Sequence, residues 1–213
     1  MKRAFLILLL VVSLVLSIGV SQKSVSAESS NRVLLIVRET SGSDNKQYMG
    51  TNEAVVMKSM LKEAGFKVVI ASASGRTFLR GDILLESDLK LAEVKIPDYV
   101  GFIIPCMELG GSTFKPEEVA IAKQIVAEGK PVAAQRRGVD MLAQAGVLVG
   151  KRYSYERQVL WGTHFDEAIY SGKGVVQDGN IITSTYCPLS SQVRGSQDQT
   201  VELTKALIAE LQK

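Results

Sequence analysis

The sequence predicts an α/β domain built on a mostly parallel sheet with helices on both faces. Compact apolar runs such as Arg32-Val33-Leu34-Leu35-Ile36-Val37 lack polar alternation, as expected of strands buried on both sides. Stretches with helical spacing separate these runs, from Ala54 to Ala64 and from Pro116 to Glu128. Glycine and proline punctuate the junctions, at Gly65, Pro105, Gly129, Pro131 and Gly146.

The first 27 residues read as an address rather than a fold. Lys2 and Arg3 precede an apolar stretch from Ala4 to Val20, and a polar segment then ends in the small-x-small pattern Val25-Ser26-Ala27. That is the layout of a secretory signal peptide. An uncleaved anchor is the alternative, because a run of this length could just span a bilayer. Ser13, Ser17 and Gly19 weaken it, and no cysteine follows to carry a lipid. The expectation is a signal peptide over 1–27 and one domain over 28–213, exported to a periplasm or secreted. Membrane contact arises only through the leader, if it stays uncleaved.

Losing Lys2, Arg3 and Lys23 lowers Lys+Arg from 25 to 22, against 22 Asp+Glu, so the net charge of +3 vanishes. No basic run interleaved with aromatics remains, so nucleic acid is not expected as a partner. His164 is the single histidine and no Cys/His cluster has metal spacing, so neither metal nor cofactor is expected. In an exported chain the two cysteines, Cys106 and Cys187, tend toward a disulfide, with two separate buried thiols as the alternative.

The elements follow in order. Arg32 to Val37 is the first strand, and a polar loop through Ser41, Gly42, Ser43 and Asp44 leads to the helix beginning near Ala54. Phe66 to Ala71 is the second strand, and Ser72 to Pro97 is a looser stretch. Tyr99 to Ile104 is the third strand, closed by Pro105. Pro116-Glu117-Glu118 opens a helix that ends near Glu128-Gly129. Gly138 to Ala145 is a short helix, and Tyr153 to Phe165 is irregular and aromatic. Asp178-Gly179 turns a hairpin from Gly174 to Thr183, and a terminal helix runs roughly from Gln197 to Leu211.

Between the second and third helices, Lys130-Pro131-Val132-Ala133-Ala134-Gln135-Arg136-Arg137-Gly138 runs from a buried strand straight into a helix. Such sharp junctions hold the nucleophile in many α/β enzymes. Here Pro131 to Gly146 contains no Cys, Ser or Thr.

These pieces in this order resemble the ThiJ/PfpI superfamily, from about Arg32 to the terminal helix. The most specific stretches are Gly129-Lys130-Pro131-Val132-Ala133-Ala134, Gly138 with Leu142 to Lys151, and Asp178-Gly179-Asn180-Ile181-Ile182-Thr183-Ser184. The resemblance implies a flavodoxin-like three-layer sandwich of the glutamine-amidotransferase type, and a homodimer. It also implies activities among cysteine-dependent glyoxalases or deglycases, peptidase-like proteins and chaperone-like proteins.

The family site has three parts, and they carry over unequally. An acid early in the first helix matches Glu53, which could equally be an ordinary helix-start acid. A Gly-Gly pair after the third strand is replaced by Cys106-Met107, with Gly110-Gly111 slightly later. The elbow Cys-His pair aligns with Arg136-Arg137, and a guanidinium neither attacks nor gives up a proton near neutral pH. A fixed cation at a helix N-terminus calls for an anion. Glu53 could supply it internally to Arg136, or a small carboxylate, phosphate or sulfate could supply it from outside, with Arg137 engaging that ligand. The resemblance also places Cys187, in Thr185-Tyr186-Cys187-Pro188, near the site, where a Cys106–Cys187 disulfide would staple the rim. His164 could be a base or a surface group. Tyr153, Tyr155 and Trp161 could line a pocket or cover the core. The expected function is a non-catalytic exported protein that binds a small anionic ligand or a protein partner at Glu53, Arg136 and Arg137. The alternative is a hydrolase or glyoxalase-like enzyme using Cys106, and a stress-linked chaperone role is a third.

Overall fold

The computed structural model describes residues 31–38, 51–76, 78–80, 83–106, 114–155, 164–172 and 174–213. The leader, the loop 41–44, Met107, Gly110, Gly111 and Trp161 lie outside them.

The apolar run opening the domain forms strand β1 (Arg32–Ile36), with β2 (Lys67–Ser72) and β6 (Gly101–Ile104) parallel on its two sides. Two short strands, β3 (Phe78–Arg80) and β4 (Ile83–Leu85), pair as a separate hairpin inside the stretch read as loose, and β5 (Leu89–Lys90) follows them. The elbow strand is β7 (Val132–Gln135) and the late hairpin is β10 (Val175–Asp178) and β11 (Ile181–Ser184), while β8 (Arg152–Tyr153) and β9 (Ile169–Tyr170) form a small pair of their own. The main sheet has seven strands in the order β10-β11-β7-β6-β1-β2-β5, parallel except for the β10–β11 pair. The α/β architecture expected from the alternation is therefore the observed one.

Burial on both faces explains why the strand sequences are continuously apolar. Val33, Leu35, Ile70, Ile103, Ala133 and Ile182 point to one face, against helices α1 (Thr51–Glu63) and α5 (Thr200–Leu211). Leu34, Ile36, Phe102, Ile104, Val132 and Ala134 point to the other, against α2 (Pro116–Ala127) and α3 (Arg137–Gln144). Period-two alternation thus sorts one strand's residues into two cores, giving three layers. Helices α1, α2 and α3 end alike. Gly65, Gly129 and Gly146 take positive φ, and the following N–H groups reach back to Leu61, Ile125 and Leu142, which satisfies carbonyls the helix leaves open.

A fifth helix that sequence periodicity did not reveal, α4 (Pro188–Arg194), follows Cys187. At seven residues it is too short for a clear 3.6 repeat, although Pro188 in its first turn marks its start. Among the described residues, no helix is long and apolar enough to cross a membrane.

Candidate functional site

The chain leaves β1 toward β2 on one side and leaves β6 toward β7 on the other, so the connections out of these two neighbouring strands diverge there. Ligand sites in open α/β sheets form outside the carboxyl ends of the strands at such a point. The residues that follow β1, β6, β7 and β11 are Arg38, Cys106, Arg136 with Arg137, and Cys187.

The elbow keeps its strained backbone without a nucleophile. Arg136 has φ 42° and ψ −108° and is the one non-glycine residue with positive φ among the described residues. Its N–H donates to the Ser184 carbonyl at 2.8 Å, and its carbonyl accepts from Val139 N–H at 2.8 Å, so neighbours on both sides hold the turn. Two residues on, Gly138 lets α3 approach the end of β6. A Cβ there would stand 2.7 Å from the Ile104 carbonyl oxygen and 2.9 Å from that of Pro105. This close approach brings the elbow against Cys106, whose sulfur accepts the Arg137 backbone N–H.

Cys106 and Cys187 are free thiols, so the expected disulfide is not formed in the structure. They nevertheless meet: the two side chains share a hydrogen bond, and they are only 4% and 1% exposed. The contact splits their acidities. The hydrogen bond to Cys187, burial and the charge of Glu53 push the Cys106 thiol well up. The hydrogen bond from Cys106, donors on Ser190 and the charge of Arg136 outweigh burial and bring Cys187 down to about 6. The Ser190 hydroxyl accepts from Cys187 N–H at 2.8 Å and lies 3.6 Å from Cys187 Sγ. The contact thus favours the proton on Cys106 and negative charge on Cys187.

The two elbow arginines part company. Arg137 is buried and donates to Asp140 Oδ2 at 2.7 Å, and the Tyr155 hydroxyl donates to the same oxygen at 2.8 Å. Burial pushes the Asp140 carboxyl up despite both partners, and it pushes the Tyr155 phenol up as well. Arg137 is thereby committed to the interior, while Arg136 is half-buried at the turn. Glu53 is 2% exposed at the start of α1, where its charge acts on Cys106. A second buried pair stands beside this one. Arg38 lies 3.8 Å from Glu118 Oε1 and over the Phe114 ring, 5.6 Å from its centroid. Glu118 Oε2 accepts the Lys115 N–H at 2.8 Å, which fixes the carboxylate at the start of α2. Burial lowers the Arg38 guanidinium, and the charge of Arg137 adds to that effect.

Tyr153 and Tyr155 stack on Phe165 in the core rather than lining the thiols, and His164 is exposed. Sequence reading passed over Arg38, Glu118, Asp140 and Ser190. Asp140 could have been found from its i,i+3 spacing to Arg137, and Glu118 from its place three residues after a helix start. Nothing local marks Arg38. Among the described residues, no group of three or more Cys, His, Asp and Glu side chains is set to hold a metal ion.

The DJ-1/PfpI family model matches residues 45–193, which spans the first helix, the elbow and the late hairpin. The chain belongs to the DJ-1/PfpI family. An uncharacterized protein of Archaeoglobus fulgidus is 32% identical over 130 residues, covering 58% of this chain and 75% of that protein. A deglycase of Pyrococcus abyssi is 33% identical over 144 residues, covering 58% of this chain and 76% of the deglycase. The crystal structure of a ThiJ/PfpI domain protein from Brachyspira murdochii superposes with a TM-score of 0.68 at 20% identity, over 85% of this chain and 96% of that one. The flavodoxin-like sandwich is thus the fold of this DJ-1/PfpI protein.

Proposed function

We propose that this chain is an exported DJ-1/PfpI protein that has given up cysteine chemistry at the elbow and binds a small anion there. The observation that carries the reading is the guanidinium of Arg136 on the strained turn. The backbone conformation that would present a nucleophile is retained, yet it presents a fixed cation at a helix N-terminus. Such a position favours a carboxylate, phosphate or sulfate group. Burial of both thiols supports the loss of carbonyl chemistry, because a substrate carbonyl must reach the attacking sulfur. In this reading the leader directs export and the protein acts as a homodimer.

A second reading draws support from Cys187, which is down at about 6 beside Arg136. A thiolate so placed could serve a relocated deglycase-like activity, with Cys106 as its partner. One experiment separates the two. The mature reduced chain is titrated calorimetrically with inorganic phosphate, sulfate and acetate, and assayed in parallel for deglycation of a glyoxal-modified peptide. Saturable binding that R136A abolishes, with no turnover, is the expected result. Turnover that is lost in C106A or C187A would overturn it in favour of the thiol enzyme.

A further inference from the structure

Cys106 follows β6 and Cys187 follows β11, and these strands flank the elbow strand β7 from opposite sides. Their sulfurs therefore meet across the elbow, 81 residues apart in sequence and within hydrogen-bond contact. We propose that this pair is a two-electron redox site, which a small hydroperoxide converts reversibly into an internal disulfide spanning the elbow.

The geometry gives each sulfur a distinct part. Cys187 is the attacking group. It is the sulfur that receives the Ser190 donors and faces the charge of Arg136, which together stabilise a thiolate. Cys106 is the resolving group, held protonated by burial and by the nearby Glu53 carboxylate. The size of the oxidant follows from exposure. With 1% and 4% of the two residues reachable, a protein disulfide cannot dock on either sulfur, whereas hydrogen peroxide is little larger than water.

The step balances. The Cys187 thiolate attacks one peroxide oxygen, the O–O bond breaks, and hydroxide leaves, taking a proton from solvent to become water. Cys187 is then a sulfenic acid. The Cys106 sulfur displaces the sulfenic oxygen, which leaves as a second water carrying the Cys106 proton. Two thiols and one peroxide become one disulfide and two waters. The sulfurs need only close from hydrogen-bond contact to about 2.05 Å. A small external thiol reverses the change by exchange when local opening of the rim lets it reach the disulfide.

Oxidation also removes the thiolate charge beside Arg136. An anion on Arg136 then loses a competing negative charge, so the oxidised protein binds it more tightly. That consequence rests on the anion-binding reading; the redox step does not.

The test titrates the mature, reduced chain with hydrogen peroxide at neutral pH and follows free thiols by alkylation and intact mass. Both thiols should disappear together at one equivalent of peroxide. The monomer mass should fall by two hydrogens, and dithiothreitol should restore it. C106S should stop at a sulfenic acid on Cys187 that dimedone traps, and C187S should lose its remaining thiol at least tenfold more slowly than wild type. Should either variant fail to fold, partial oxidation of wild type followed by dimedone labelling still identifies the attacking sulfur, and Cys187 should carry the label. Retention of both thiols while methionines take up oxygen would overturn the proposal. So would covalent dimers as the main product, or dimedone label on Cys106. If the redox cycle holds while phosphate binding is absent in both states, the anion reading alone fails.

Discussion

Replacing Arg136 by glycine should stabilise this protein relative to replacing it by alanine. The residue sits at φ 42°, ψ −108°, away from the left-handed helical well near +57°, +47° that non-glycine residues occasionally visit. Holding a residue with a Cβ in such a region costs on the order of 1–3 kcal/mol. Glycine relieves that strain but loses roughly 0.5–1 kcal/mol more backbone entropy on folding. The net advantage of R136G over R136A is then between about 0 and about 2.5 kcal/mol, or up to about 10 °C in Tm for a domain of this size. Comparing two truncations removes the guanidinium from both, so whatever pairs with Arg136, and its unfavourable place at the N-terminus of α3, cancel. Urea unfolding of the two reduced variants, with matched slopes, measures the difference. If R136G is less stable than R136A at equal slope, strain at the turn is smaller than glycine's entropy cost and the elbow argument fails.

Other consequences follow from the same geometry. Gly138→Ala sets a Cβ against the backbone oxygens of Ile104 and Pro105, which cannot yield as a side chain would, and should cost about 1–3 kcal/mol in urea unfolding. A cost near zero would mean that α3 does not press on β6. Arg137→Met strands the buried Asp140 carboxylate and should cost about 3–5 kcal/mol. The double variant R137M/D140L should recover most of that loss in thermal unfolding, and a double variant as unstable as the single would refute the pairing. Cys187 gives stability a pH dependence whose sign is fixed. Its folded value, about 6, lies below the roughly 8.5 of an unfolded thiol, so the unfolded chain binds more protons between them. The stability contributed is complete above about 8.5 and is lost as pH falls through about 6. Urea midpoints of wild type relative to C187S should therefore rise across that window, and a flat difference would show that Cys187 is not the ionised partner.

The layers of this fold were legible because each strand and helix announces itself locally. Val33-Leu34-Leu35-Ile36 is a short unbroken apolar run typical of a strand buried on both faces, and the spacing from Ala54 to Ala64 is that of a helix with one apolar side. The elbow was legible too, since Gln135 ends an apolar run and Gly138 opens a helix. The short strands between Phe78 and Lys90 and helix α4 were not, because elements this short carry fewer than two full repeats of any pattern.

By itself, then, the sequence determined the α/β alternation, the position of the sharp turn and the absence of a nucleophile on it. Tertiary structure alone decided that Cys106 and Cys187 meet as free thiols, that Arg137 turns inward to Asp140 and Tyr155, and that Arg38 and Glu118 form a second pair beside them. The division has a physical cause. Period-two and 3.6-residue patterns depend on neighbours a few positions apart. The acidity of a thiol or the partner of a guanidinium depends on which strand ends the sheet order brings together, and on how completely the surrounding core excludes water.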